Sequence, residues 1–373
     1  MVRRTGILFV CALLSVGILA APASARKKKR RSLPTWEWKL DVSAAAIYND
    51  NLLRLSERDL NSFQRDSEAF PVPLESSDDF ENEISLQPQI YWRAPMTLMI
   101  SGDYRLKATT RARNGFTDYQ THTFGATVRP RVAGYRWAAR FRVFTIPSFY
   151  LRVYRDRDYS QYHTARFSNW DYQGSFRYRL TEPLWLEAQT AWGSYYYNRK
   201  FTEYDSEYRD YTIGASYALP WNMDIRGAYT RRLSENIGKD QPVPPTIIPG
   251  EDLLVEDTEY GDGDFNEDEW SASLGAVIPW IEFRRTKGTL SYRLRRRVYT
   301  TDRSLEQDPF HRGRLDKRSE VTTSLKMSVS RAFDVEAYFT YEERGTDSQY
   351  ASVPQVKNFI RREFGLVLSY SIQ

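Results

Sequence analysis

The chain is poor in the residues that enzymes most often use for chemistry. It has one cysteine and three histidines in 373 residues. The cysteine, Cys11, lies in an N-terminal apolar stretch, so the chain beyond that stretch has no disulfide, thiolate metal site or cysteine nucleophile. His122, His163 and His311 fit no metal or triad spacing. No glycine-rich phosphate loop or nucleotide motif occurs. These absences point away from an enzyme and give no reason to expect a cofactor. Charge of one sign is not in excess either: 53 Lys and Arg face 48 Asp and Glu, a formal +5, which makes no case for nucleic acid. After residue 20 no apolar run is long enough for a membrane helix. The mean hydropathy of −0.62 excludes a helical membrane bundle. It does not exclude a barrel, whose strands alternate apolar and polar residues and so average to polar.

Aromatic residues are abundant: 26 Tyr, 19 Phe and 10 Trp. The N-terminus carries Arg3 and Arg4, then an apolar stretch over residues 6–20, then Ala23-Ser24-Ala25. Residues 1–25 are therefore expected to be a cleaved secretory signal, with a retained anchor as the alternative. Residues 26–35 form a basic tail opened by Arg26-Lys27-Lys28-Lys29-Arg30-Arg31. It is expected to be periplasmic, either simply solvated or touching anionic lipid or polymer.

From Trp36 onward the pattern has a period of two. Trp170, Tyr172, Gly174, Phe176, Tyr178 and Leu180 share one face, and Asp171, Gln173, Ser175, Arg177 and Arg179 the other. A helix, with its period of 3.6, would scatter both sets; a strand separates them. Leu98, Ile100, Gly102, Tyr104 and Leu106 oppose Ser101, Asp103, Arg105 and Lys107 in the same way. The split recurs in segments of about ten residues through the chain.

Short turns at Ala94-Pro95, Ala133-Gly134, Thr181-Glu182-Pro183, Pro220-Trp221-Asn222, Pro279-Trp280 and Arg331-Ala332 alternate with polar loops near 49–79, 109–118, 155–160, 198–206, 232–266, 301–317 and 343–358. Short periplasmic turns and long extracellular loops are the arrangement of a bacterial barrel. The expected fold is an all-β, transmembrane, up-and-down antiparallel barrel over residues 36–373. About fourteen strands are expected, with twelve or sixteen acceptable and a possible extra hairpin in the first or fifth loop. A soluble β-sandwich or propeller also alternates and is the competing architecture.

The C-terminal segment Glu363-Phe364-Gly365-Leu366-Val367-Leu368-Ser369-Tyr370 resembles the assembly signal of bacterial outer-membrane barrels, with Glu363, Gly365, Leu368 and Tyr370 at its spaced positions. Ser371-Ile372-Gln373 extends past the usual aromatic end. The resemblance implies residence in the outer membrane, contact with its lipid and lipopolysaccharide, and handling by a barrel assembly machinery through strand pairing. Residues 47–54 also look like a segment near the first strand of many such barrels. Polysaccharide-secretion and surface-lipoprotein assembly barrels look broadly similar.

The inward face carries the candidate chemistry. Arg129 and Arg131 are placed on the fourth strand, Arg140 and Arg142 on the fifth, Arg177 and Arg179 on the sixth, all toward the periplasmic ends; Arg105 and Lys107 lie on the third strand and Arg293, Arg295 and Arg297 on the eleventh. Guanidinium groups pair bidentately with carboxylate, sulfate or phosphate, so this lining is expected to bind anions. The opposing expectation is an internal salt-bridge network with Glu83, Asp103, Asp171, Glu187, Asp210, Asp224, Glu336 and Glu363. The fifth loop is acidic, and Asp262, Asp264, Asn266 and Asp268 have calcium-like spacing but lack the glycine and terminal glutamate of a calcium-binding loop. The functional expectation is a channel or transporter for small anions or an acidic oligo- or polysaccharide. The alternatives are a secretion or assembly barrel with periplasmic partners, and a structural or adhesive barrel acting through its loops.

Overall fold

The computed structural model describes residues 35–67, 70, 72–94, 97–132, 134–155, 162–238, 264–278, 285–306, 308 and 310–373. The expected signal, almost all of the basic tail and most of the fifth loop lie outside these residues. Fourteen antiparallel strands close into one barrel, each paired with its sequence neighbours and β1 with β14. The strands are β1 (Trp36–Asn49), β2 (Asp79–Arg93), β3 (Leu98–Arg111), β4 (Tyr119–Pro130), β5 (Trp137–Arg155), β6 (Tyr162–Arg179), β7 (Leu184–Tyr197), β8 (Ser206–Leu219), β9 (Met223–Asn236), β10 (Phe265–Val277), β11 (Arg285–Tyr299), β12 (Leu315–Ser328), β13 (Phe333–Asp347) and β14 (Phe359–Ile372). Closure removes every sheet edge, so each strand's backbone groups pair within the wall, as hydrocarbon demands.

The outward face is apolar and aromatic. Trp36 and Trp92 stack across β1 and β2 with ring centroids 5.5 Å apart, Tyr172 and Trp192 across β6 and β7 at 5.6 Å, and Phe339 and Phe364 across β13 and β14 at 4.7 Å. Of the short turns, the three-residue connection between Leu219 and Met223 has Trp221 and Asn222 both at positive φ, 59° and 58°.

Three local features differ from the sequence expectation. β4 ends at Pro130, so Arg131 lies in the turn beyond it and not on the strand; Pro130 has no N–H to extend the ladder. β5 and β6 are the long strands, but their register shifts between Ile146 and Phe149 and again between Tyr150 and Arg152. Pro147 sits in the first shift, where a missing N–H is tolerated. The first loop holds no hairpin among its described residues. It contains helix α1 (Glu57–Arg65), opened by Ser56, whose Oγ accepts the Asp59 N–H. A second short helix, α2 (Ser352–Lys357), lies in the last loop.

The larger buried apolar cluster joins the first loop to the barrel wall. Leu55, Val72 and Leu74 of the first loop pack with Tyr150 and Val153 of β5. The first loop thus turns over the extracellular mouth and anchors on the extended end of β5.

Candidate functional site

Strand pairing fixes which side chains face the lumen. Successive residues alternate faces, and partners across a ladder share one. On this basis Arg105, Lys107, Arg129, Arg140, Arg142, Arg177, Arg179, Arg293, Arg295 and Arg297 all lie on the inward face of their strands. Only Arg131 is off the wall.

Seven of these cations have carboxylate partners. Lys107 meets Glu83 at 2.6 Å, Arg140 meets Asp103 at 3.0 Å, Arg142 meets Asp171 at 3.9 Å and Arg177 meets Glu187 at 3.2 Å. On β11, Arg293 lies between Glu269 at 3.5 Å and Glu320 at 3.0 Å; Arg295 meets Glu269 at 2.7 Å and Arg297 meets Glu267 at 2.9 Å. The expected salt-bridge network therefore exists. Glycine opens space for it: a Cβ at Gly125 would stand 2.5 Å from both Arg140 Nη2 and Asp103 Oδ1.

Four cations have no carboxylate within ion-pair distance among the described residues. Arg105 donates to Gln87 Oε1 at 2.9 Å, Arg129 lies 4.8 Å over the Tyr135 ring, Arg179 lies 5.1 Å over the Trp185 ring, and Arg131 is exposed. All but Arg105 are at the periplasmic ends of β4 and β6 or in the turn that follows β4. The lumen thus combines neutralised pairs with an unneutralised basic rim.

A second basic group was not singled out from the sequence. Glu342, with its side chain 1 % exposed, holds Arg54 at 3.2 Å, Arg318 at 2.5 Å and Arg361 at 3.6 Å. Arg361 also pairs with Glu363. Arg54 belongs to the first loop, has φ +55° and is reached by a sharp turn in which Asn51 Nδ2 donates to the carbonyls of Leu55 at 2.8 Å and Ile360 at 3.0 Å. Alternation alone marks Arg318, Glu342 and Arg361 as inward, but Arg54 comes from a loop that no period describes.

The lumen also carries aromatic rings where a polar lining is usual. Tyr119 and Phe149 centroids are 5.0 Å apart, Phe149 and Phe167 5.2 Å, Phe167 and Tyr195 5.1 Å, and Tyr195 and Tyr208 5.3 Å. Arg232 lies 4.1 Å over Tyr208 and pairs with Asp210 at 2.8 Å. Beneath the first loop, a cavity of about 640 Å³ is lined by Tyr119, Phe149, Tyr197 and Tyr299 together with Arg54, Arg111, Arg297 and Arg361. Two further cavities, of about 490 and 410 Å³, share Gln189, Thr212, Thr230 and Glu269 along β7 to β10.

The assembly-signal residues split by face. Glu363 and Gly365 point inward, where Tyr338 donates to Glu363 at 2.8 Å and its ring occupies the space a Cβ on Gly365 would need. Leu368 and Tyr370 point outward. Of the calcium-spaced set, Asp262 lies outside the described residues. Asn266 and Asp268 fall on the outward face of β10, and Asp268 is held by Arg231 at 2.8 Å and Tyr229 at 2.6 Å. Asp264 accepts the Asn236 N–H. No cluster of three acidic, histidine or cysteine residues suited to a metal occurs among the described residues.

Outside the strands, two loop carboxyls are shifted in opposite directions. Burial pushes Asp205 above its ordinary value against a backbone N–H from Tyr197. Burial also opposes the charge of Asp308, but the pull of His311 and hydrogen bonds from His311 and Thr301 outweigh it and hold Asp308 low.

No protein-family model matches the chain, and no curated protein matches it. Among solved structures, an anion-selective porin from Comamonas acidovorans superposes with a TM-score of 0.43 at 9 % identity, covering 90 % of this chain and 99 % of that one. A bacterial polysaccharide outer membrane secretin gives 0.40 at 9 % identity, covering 90 % of this chain and 98 % of that one. OprD of Pseudomonas aeruginosa gives 0.38 at 11 % identity, covering 90 % and 95 %. Superpositions of this quality carry nothing over to the chain. Its own register and exterior define the fold: it is a closed fourteen-stranded antiparallel β-barrel whose outward face is largely apolar and aromatic.

Proposed function

We propose that the barrel is a passive outer-membrane channel that favours anionic solutes. The observation that carries this reading is the charge left over after pairing. Arg105, Arg129, Arg131 and Arg179 have no carboxylate within ion-pair distance among the described residues, and Glu342 is shared by three guanidinium groups. Charges facing a narrow lumen act on passing ions through a low-dielectric wall and are less screened than surface charges. The pairs hold the geometry of the wall and the unpaired cations leave the net field positive; turning a paired cation into a carboxylate would shift that field as well.

The aromatic ladder from Tyr119 to Tyr208 favours one substrate class within this reading, an acidic oligo- or polysaccharide. Sugar rings present apolar C–H faces that aromatic rings can cover, while guanidinium groups pair with uronate carboxylates. The arrangement under the first loop puts both chemistries around one cavity.

Planar-bilayer recording of the refolded mature protein tests the reading. A salt gradient should give a reversal potential of anion-selective sign, and oligogalacturonate should block the current more than a neutral oligosaccharide of equal length. A cation-selective current, or a correctly folded barrel with no conductance, would overturn the channel proposal. Equal block by the two sugars would overturn the saccharide refinement alone.

A further inference from the structure

The exterior of a transmembrane barrel should be free of charge where it meets hydrocarbon. On β1, β2, β3, β4 and β7 the outward positions include no Asp, Glu, Lys or Arg. One side of the barrel departs from this. Arg231 on β9, Asp268 on β10, Arg296 on β11 and Lys317 on β12 are successive cross-strand partners, all on the outward face. Arg209 on β8 lies diagonal to Arg231, whose direct partner there is Tyr211. The row is within five residues of the extracellular end of each strand.

Height follows from what lies beneath. One rung toward the periplasm, Tyr229 and Trp270 face each other with centroids 5.7 Å apart. Paired interfacial aromatics mark the edge of the hydrocarbon, so the charged row stands at the level of the outer-leaflet headgroups.

Among the direct cross-strand partners of the row, three cations share one carboxylate. Arg296 and Lys317 are direct cross-strand partners, a placement that is destabilising for like charges unless an anion lies between them. The only carboxylate in the row, Asp268, is already occupied by Arg231 at 2.8 Å and the Tyr229 hydroxyl at 2.6 Å. Neither Arg296 nor Lys317 makes a hydrogen bond or an ion pair within 4.0 Å with any described residue; Arg296 feels Asp268 only as its cross-strand neighbour. Outward carboxylates flank the row at its two ends, Glu235 diagonal to Arg209 and Glu343 and Asp347 diagonal to Lys317, with Glu343 accepting the Tyr341 hydroxyl at 3.2 Å; none of them is paired with Arg296 or Lys317.

We infer that Arg296 and Lys317, supported by Arg231 and Arg209, form an external site for the phosphate of an outer-leaflet phosphoglycolipid, the lipid A part of lipopolysaccharide. Arg and Lys offer forked and point-like donors to phosphate oxygens, and the Trp270–Tyr229 step receives the first acyl segments. The site is on the opposite side of the wall from the lumen, so it stands or falls independently of conductance.

Native mass spectrometry of the full mature barrel in detergent tests it. The probes are bisphosphorylated lipid A, the same lipid with both phosphates removed, and phosphatidylglycerol. Wild type should bind lipid A roughly tenfold more tightly than either comparison lipid. Arg296→Gln with Lys317→Gln should lose that advantage, with heat-modifiable mobility unchanged as proof of folding. The double variant should not distinguish phosphorylated from dephosphorylated lipid. Equal binding of the two lipid A forms by wild type would overturn the site. So would full retention of affinity by the folded double variant, and so would phosphatidylglycerol binding as tightly as lipid A. Should the double variant fail to fold, Lys317→Gln alone must lower lipid A affinity for the site to stand.

Discussion

Arg140 on β5 reaches past β4 to Asp103 on β3, with Nη2 3.0 Å from Oδ2. The pair crosses above Gly125, the one β4 residue whose missing side chain leaves the path clear. Gly125→Val should therefore separate the two charges and leave Asp103, with its side chain 8 % exposed, without its cation. We expect a folded barrel destabilised by about 1–3 kcal/mol, read from urea unfolding in lipid vesicles. Unchanged stability would mean that the pair re-forms around the added methyl groups.

Arg140→Glu combined with Arg142→Glu should reverse the local field at the periplasmic half of the lumen. Asp103 and Asp171 would lose their partners at the same time. The expected outcome is a reversal potential shifted toward cation preference while heat-modifiable mobility stays that of wild type. A shift in the opposite direction would contradict the assigned role of these side chains.

Leu290 and Ser291 are adjacent on β11 but face opposite sides, Leu290 being 53 % exposed on the exterior and Ser291 lining a cavity. Leu290→Arg should destabilise by roughly 2–4 kcal/mol, the effect of an arginine near the bilayer midplane. Ser291→Arg should leave unfolding nearly unchanged. Equal tolerance at the two positions would undo the inside–outside assignment.

Glu342→Gln removes the carboxylate shared by Arg54, Arg318 and Arg361. Three guanidinium groups would then face one another, and the first loop, tied to the wall through Arg54, should loosen. Hydrogen exchange over residues 51–60 should accelerate at least severalfold, with the exchange of β1 and β14 unaltered. Protection as slow as in wild type would show that Asn51 and the Leu55 cluster hold the loop unaided.

Asp308 gives the pH dependence of the sixth loop. Its carboxyl is held below the ordinary 3.8 in the folded state, so its contribution is fully present above that value and is lost as pH falls through the lower, folded value. Lowering pH from 6 toward 2 should lower the protection factors, that is, exchange relative to the intrinsic rate at each pH, around His311, whose N–H and Nδ1 both lie 3.0 Å from Asp308 Oδ1. Asp308→Asn should show low protection at every pH. A loop that tightens on acidification would refute this account.

Period-two alternation was enough to place Arg140, Arg177 and Arg293 inside and Leu290 outside, because a strand's geometry leaves only two faces and hydrocarbon rejects a charged one. It also gave the strand number, since each short turn and long loop marks one hairpin. The sequence did not tell which of two compatible states each inward arginine takes, paired or unpaired. That depends on distances between strands: Arg140 finds Asp103 two strands away, while among the described residues Arg129 meets Met99 and the Tyr135 ring.

What the sequence determined by itself was local and periodic: strand, face and turn. What only the tertiary structure decided was non-local. Arg54 meets Glu342 across 288 residues because the first loop turns inward on a buried Leu55. Arg231, Asp268, Arg296 and Lys317 become one row because barrel register, which no single strand contains, sets them side by side. Alternation is a property of one strand's backbone; contact between strands depends on register and closure, and these are settled only when all fourteen are paired.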